Sequence, residues 1–397
     1  MNIARIAVNV IAGLAVCTSL AQARPAVQAS QAAVPRDDSG LYTPTDPIER
    51  GLWLQTDDAE RTMRNSPLVI RDPALNAYVR GVLCRTVGEA KCRNARIYIV
   101  RTPQFNATMA PNGMMEVWTG LLLRVQNEAQ LATVLGHEFT HFEQRHSVRL
   151  FKDIKSKSDA AGFLGMLPWG FVLQAGLLVS MYGFSREMER EADAGALLKM
   201  AGAGYDTREA ARIWERLRAE MDATAAARNT KTRKDKNGGI FATHPLTAER
   251  VQYLVEQAAK APGTAGATGA DRYRAALGPW WPQFVDDQLK FNDFGASAYL
   301  LESLASEGWT PPLLYARAEL HRRRGAEGDV ARAAGLYDQA IAGGGILPEL
   351  WRGRGLARIK LGQPDAGKAD LTEYLKRAPG AADRAMIAMM TGTGEAR

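Results

Sequence analysis

Cysteine is scarce, with 3 residues among 397. That excludes a disulfide-built scaffold. Only 5 histidines occur, so any clustering of them carries information. There is little excess charge: Lys+Arg 50 against Asp+Glu 43 leaves +7. Without a clustered patch this does not argue for nucleic acid, and no nucleic-acid partner is expected. Hydrophobic residues make up 46% and charged residues 23%, which excludes a disordered or collagen-like chain. The length predicts two or three domains at ~150 residues each.

Long apolar runs are few. Residues 1–23 carry Arg5, a short apolar stretch and the small pair Ala21 and Ala23 around Gln22. This is the pattern of a cleaved export signal and predicts a periplasmic chain. Cys17 leaves with the signal, and bulky Val16 before it argues against lipidation. Cys84 and Cys92 remain, an even pair in an oxidising compartment, and are expected to bridge. Ala160–Ser185 holds 26 residues without Asp, Glu, Lys or Arg. Its length suggests a membrane span, but Pro168 and five glycines weaken that reading.

The rest divides by composition. Residues 24–45 read as a flexible lead-in. Asp72-Pro73 predicts a helix start. Ala95–Val100 reads as a strand, and Met109–Trp118 as strand, Pro-Asn-Gly turn and strand. Asn127 caps a helix expected to run to Ser147. Residues 222–239 read as an exposed polar loop, with Lys231, Arg233, Lys234 and Lys236 as a solvated basic face. Residues 261–275 read as a linker. In the last third, Tyr315 and Trp351 stand 36 residues apart, near the tetratricopeptide period of ~34. Residues 276–397 are therefore expected to form tetratricopeptide-like helical hairpins, a surface for protein segments.

The chemistry lies in His137-Glu138-Phe139-Thr140-His141. Residues four apart share a helix face, so both imidazoles can reach one zinc ion with Glu138 beside it. A third protein ligand is needed. Ser185–Asp193 offers carboxylates at Glu187, Glu189, Glu191 and Asp193, and spacing does not choose among them. On one continuous helix His146 lies ~140° from His141. It is read as a structural hydrogen-bonding residue outside the metal site. His321 is assigned no role.

The motif H-E-x-x-H, followed by S-R-x-x-E-x-x-A-D, Thr243-His244-Pro245 and Arg250, resembles the HtpX/CAAX-prenyl-protease type of zinc metallopeptidases. Within it, the periplasmic BepA-like branch with tetratricopeptide repeats is most similar. The resemblance covers most of residues 45–260. It implies an α+β, mainly α, zincin-like core with a small sheet over 46–260. It implies Glu189 as third zinc ligand, one Zn2+ per chain, and Asp193 as the carboxylate holding a ligand histidine. It implies His244 as a regulatory fourth ligand and Asn106, Met109, Ala110 and Pro111 as the substrate strand. Arg250 is expected to pair with a carboxylate near the site.

Once the histidines and Glu189 share one metal, a single membrane crossing between them is excluded. It would separate the ligands by ~30 Å of hydrocarbon. The charge-free segment is then a hairpin that covers the site, with membrane contact as the minor alternative, and not part of a multi-span protein. The expected activity is hydrolysis of peptide bonds in misfolded or stalled exported proteins, a quality-control role for outer-membrane proteins, with their assembly machinery as partner of the repeats. The competing readings are a periplasmic chaperone or assembly scaffold with a self-inhibited site, and a membrane-embedded prenyl-protein protease.

Overall fold

The computed structural model describes residues 41–157, 183–231, 244, 247–261 and 266–392. The expected export signal, most of the lead-in and most of the charge-free segment and basic run lie outside the described residues.

Helix α1 (Pro47–Asn65) starts at Asp46, whose carboxylate accepts from the amides of Ile48 and Glu49. Helix α2 (Pro73–Val87) starts where Asp72-Pro73 predicts, with Asp72 accepting from the Leu75 amide at 2.8 Å. A short α3 (Glu89–Cys92) follows, and a disulfide joins Cys84 to Cys92 across the turn.

The sheet comprises β1 (Val69–Ile70), β2 (Arg96–Val100), β3 (Ala107–Met109) and β4 (Met114–Trp118) in the order β1-β2-β4-β3. β2 and β4 run parallel; the outer pairs are antiparallel. The β3–β4 turn needs Gly113 at φ 90°, where a Cβ would lie 2.0 Å from the Asn94 carbonyl oxygen. Trp118 donates to the Asn106 carbonyl and Ala110 to that of Met114. Residues 106, 108 and 110 thus face β4, and Ala107 and Met109 turn their main-chain groups to the sheet edge.

Helix α4 (Thr119–Arg124) leads into α5 (Glu128–Glu143), the central helix, in which every residue but Glu143 is buried. Asn127 caps it through the Gln130 amide. The expectation that α5 runs to Ser147 is corrected. It stops at Glu143 because Arg145 takes a left-handed conformation, φ 55°, and α6 (His146–Lys157) starts afresh.

Helices α7 (Arg186–Gly202), α8 (Glu209–Ala227) and α9 (Ala248–Lys260) complete the surroundings of α5. α8 corrects the polar-loop reading of 222–239. Residues 222–227 continue the helix, as their alanine content favours. The composition-based linker is also corrected in its described part. Ala267 pairs with Tyr205, Arg272 binds buried Glu128, and α10 (Ala270–Leu277) is helical.

The remaining helices are α11 (Trp281–Leu289), α12 (Phe294–Leu304), α13 (Pro311–Arg324), α14 (Asp329–Ala342), α15 (Glu349–Lys360), α16 (Pro364–Arg377) and α17 (Arg384–Thr391). The α13–α14 and α15–α16 pairs are helical hairpins. The described residues form two apolar cores. One runs from Tyr42 through the sheet and α5 to Leu320 on α13. The other, around Tyr337, Trp351 and Leu371, binds α13–α17. One ion pair and one hydrogen bond fasten α11 to the sheet side. Arg101 grips Asp287 through contacts of 2.5 and 2.8 Å, and buried Arg124 bridges Glu220 and Gln288.

Candidate metal centre

α5 and α7 approach closely because their contact is built from small residues. A Cβ on Gly195 of α7 would meet the Thr140 side chain of α5 at 2.5 Å. Thr140 cannot swing clear freely, since its hydroxyl donates to the Gly136 carbonyl and accepts from Lys199. This approach carries Glu189 and Asp193 to the face of α5 that bears His137 and His141. Of the four carboxylates that spacing leaves open, Glu187 is exposed and Glu191 turns to His146. Glu189 and Asp193 point inward and are buried.

One donor atom from each of His137, His141, Glu189 and His244 lies within 4.8 Å of the other three. His137 Nε2 is 3.0 Å from His141 Nε2 and 3.2 Å from His244 Nδ1. Glu189 Oε1 is 2.9 Å from His244 Nδ1 and 3.5 Å from His141 Nε2. A tetrahedron with metal–ligand bonds of ~2.05 Å has edges of ~3.3 Å, so these spacings suit a small tetrahedral cation.

The outer ring nitrogens support the same fit. His137 Nδ1 lies 2.9 Å from Asp193 Oδ1, and His141 Nδ1 lies 2.7 Å from His146 Nδ1. With a proton on each Nδ1, both Nε2 atoms present lone pairs to each other at 3.0 Å. A cation between them turns that repulsion into ligation.

One guanidinium serves both inward carboxylates of α7. Arg250, on α9, donates to both oxygens of Asp193 at 2.9 and 2.7 Å, and its third nitrogen is 3.2 Å from Glu189 Oε2. Its guanidinium lies over the Trp214 ring of α8 at 4.3 Å. Burial would raise the Asp193 carboxyl, but Arg250 and His137 hold it well below the usual range. Burial likewise opposes ionisation of Glu189, and the nearby His244 and Arg250 bring its pKa down. Burial pushes the His141 imidazole well below its ordinary value, helped by neighbouring His137.

Glu138 is buried beside the cluster, its Oε1 3.5 Å from His244 Nε2. Burial pushes its carboxyl up, with His244 and His137 opposing. For His244, burial disfavours the charged ring, yet Glu189 and Glu138 raise its pKa. Phe184 stacks on His141 with centroids 4.0 Å apart, so residue 184 covers one face of a candidate ligand.

The six residues His137, Glu138, His141, Glu189, Asp193 and His244 thus meet in one place. Met109 ends β3, Asn106 stands just before it, and Ala110 and Pro111 enter its turn. Cys84 and Cys92 stand apart, at the end of α2. His321 joins Asp329 and Arg324 between α13 and α14. Sequence reasoning left open the partners of Arg250, gave His146 none, and missed Phe184. The serine that caps α7 two residues before Glu187 marked the helix start, but nothing local marked Phe184 as a ring partner.

A buried His-Glu-x-x-His helix face completed by a carboxylate from a second helix defines a metallopeptidase centre. Residues 73–258 match the model of Peptidase family M48, and the chain carries a metallopeptidase domain of that family. The chain is 28% identical over 217 residues to the putative beta-barrel assembly-enhancing protease of Vibrio cholerae, covering 51% of this chain and 43% of that one. It is 26% identical over 262 residues to the beta-barrel assembly-enhancing protease of Escherichia coli, covering 61% and 50%. It is 31% identical over 191 residues to the mitochondrial metalloendopeptidase OMA1 of Schizosaccharomyces pombe, covering 45% and 52%. The chain spans about half the length of these curated relatives. No helix among the described residues is long and apolar enough to cross a membrane.

Proposed function

We propose that this chain is a zinc-dependent endopeptidase of the cell envelope that cleaves misfolded or stalled exported proteins. The observation that carries the reading is the convergence of His137, His141 and Glu189 at tetrahedral-edge spacing beside the buried carboxyl of Glu138. Two imidazoles and a carboxylate suit zinc. Bound there, zinc would lower the pKa of a water molecule to around neutrality and polarise the scissile carbonyl. Glu138 accepts the water proton and delivers it to the leaving amine. Asp193, clamped by Arg250, keeps the proton of His137 on Nδ1 and its Nε2 free.

The substrate adds to the sheet edge through the outward main-chain groups of Ala107 and Met109, flanked by Asn106, Ala110 and Pro111. Such pairing reads backbone rather than side chains and suits unfolded polypeptides. The names of two relatives support outer-membrane β-barrel proteins as the substrate class. The pattern of residues 1–23 supports export to the periplasm. The α13–α16 hairpins, with the 36-residue spacing, support a tetratricopeptide-like region that docks a partner such as the assembly machinery.

One observation favours a latent resting form. His244 Nδ1 lies 3.2 Å from His137 Nε2 and 2.9 Å from Glu189, where a fourth ligand would stand. In that form the chain serves as a chaperone or scaffold until His244 withdraws.

The test is metal analysis of the purified exported chain, with cleavage of an unfolded protein by wild type and Glu138→Gln. About one zinc per chain is expected in both. Glu138→Gln should lose at least ~10²–10⁴-fold in rate. No stoichiometric metal, or undiminished cleavage by Glu138→Gln, overturns the reading.

A further inference from the structure

His146 is buried to 0% exposure, belongs to no expected ligand set, and yet touches a candidate ligand. On an uninterrupted helix its ring would be ~140° from His141. The left-handed residue Arg145 ends that helix and redirects the chain. The Arg145 guanidinium lies over the Tyr42 ring and 3.3 Å from Glu49, so α1 and its lead-in hold the joint. The first residue of α6 can then turn its ring back onto His141.

The contacts form a chain. His141 Nδ1 to His146 Nδ1 is 2.7 Å, His146 Nε2 to Glu191 Oε2 is 2.8 Å, and Arg149 donates to the same oxygen at 2.7 Å. One proton assignment satisfies every link when His141 Nε2 is a metal ligand. His141 carries its proton on Nδ1 and donates it to His146 Nδ1. His146 then carries its own proton on Nε2 and donates it to Glu191. With His141 Nε2 a ligand, the other neutral tautomer of His146 sets two protons face to face at 2.7 Å and a lone pair against Glu191 at 2.8 Å. Glu191 is 37% exposed on its side chain, so the chain runs from the metal centre to the surface.

We infer that His146 is a positioning residue for the metal, acting through His141, with Glu191 and Arg149 as its anchor. His137 receives its carboxylate directly, from Asp193. His141 receives one through an intervening imidazole. His146 fixes which nitrogen of His141 is free and the plane in which it points, and Glu191 fixes the same for His146. The inference rests on the metal-site reading proposed above.

The test compares wild type, His146→Leu, His146→Asn and Glu191→Ala. The readouts are zinc affinity by chelator competition and the visible spectrum of the cobalt-loaded protein. Leucine fills the space but offers no acceptor. The asparagine carbonyl oxygen stands near the place of the imidazole Nδ1 and can accept from His141. His146→Leu is expected to bind zinc about 10–100-fold more weakly and to alter the cobalt spectrum. His146→Asn should restore most of both. Glu191→Ala, a partly exposed site, should weaken binding by a smaller factor and serves if His146→Leu fails to fold. Wild-type affinity and spectrum in His146→Leu overturn the inference, as does His146→Asn as weak as His146→Leu when both are folded. If His146→Leu is unfolded, wild-type affinity in Glu191→Ala overturns it. A wild type that binds no zinc removes the metal-site reading itself, and this inference with it.

Discussion

Arg250 holds Asp193 through paired contacts of 2.9 and 2.7 Å, with both side chains buried. Removing one member of a buried pair leaves the other charge without compensation. Arg250→Ala is therefore expected to cost about 3–5 kcal/mol in denaturant unfolding. Arg250→Lys should not rescue it, because an ammonium cannot reproduce the two-pronged grip. A loss below ~1 kcal/mol would mean the pair contributes little.

The same carboxylate sets an acid response. Asp193 is held well below the usual range when folded, against ~3.9 in an unfolded chain. Its stabilisation is full above the unfolded value and is lost as pH falls below it toward the folded one. Unfolding titrations of metal-free protein should show stability falling as pH drops below ~4. Asp193→Asn should flatten that fall. An identical slope in the variant refutes the assignment.

His244 stands within reach of three candidate ligand atoms. If it occupies the open position at rest, His244→Ala should raise basal cleavage by roughly 5–10-fold with zinc content unchanged. Equal or lower activity in the zinc-loaded variant removes the latent form.

Gly195 keeps α7 against α5. Gly195→Ala should cost about 1–3 kcal/mol through overpacking against Thr140. It should also weaken zinc binding, because Glu189 and Asp193 ride on the displaced helix. Stability and affinity both at wild-type levels would show that the contact yields easily.

Local features of this fold were legible in the sequence where a few neighbouring residues decide the outcome. Asp72-Pro73 and Asn127 cap their helices, and Gly113 makes its turn, because each acts within four residues. His137 and His141 were legible for the same reason, being one helical turn apart. Choosing Glu189 among four carboxylates was not, since it depends on how α7 lies against α5. The reversal at Arg145 was hidden too. Its partners Tyr42 and Glu49 lie about a hundred positions away, and arginine is no usual marker of a left-handed residue. Composition misled at residues 266–275, where glycine and alanine suggested slack. Gly266 in fact fits against the Tyr205 backbone, where a Cβ would come within 2.4 Å.

Arg101 follows β2 and Arg124 ends α4, and both reach Asp287 or Gln288 on α11. Amputation at the composition boundary near residue 275 would therefore wound the catalytic half as well. It would strand Arg101 without its carboxylate, strip Arg124 of the Gln288 acceptor, and peel Phe284, Leu289 and Leu313 off a shared interior. Whatever grips the carboxyl-terminal helices takes hold of a handle welded to the blade.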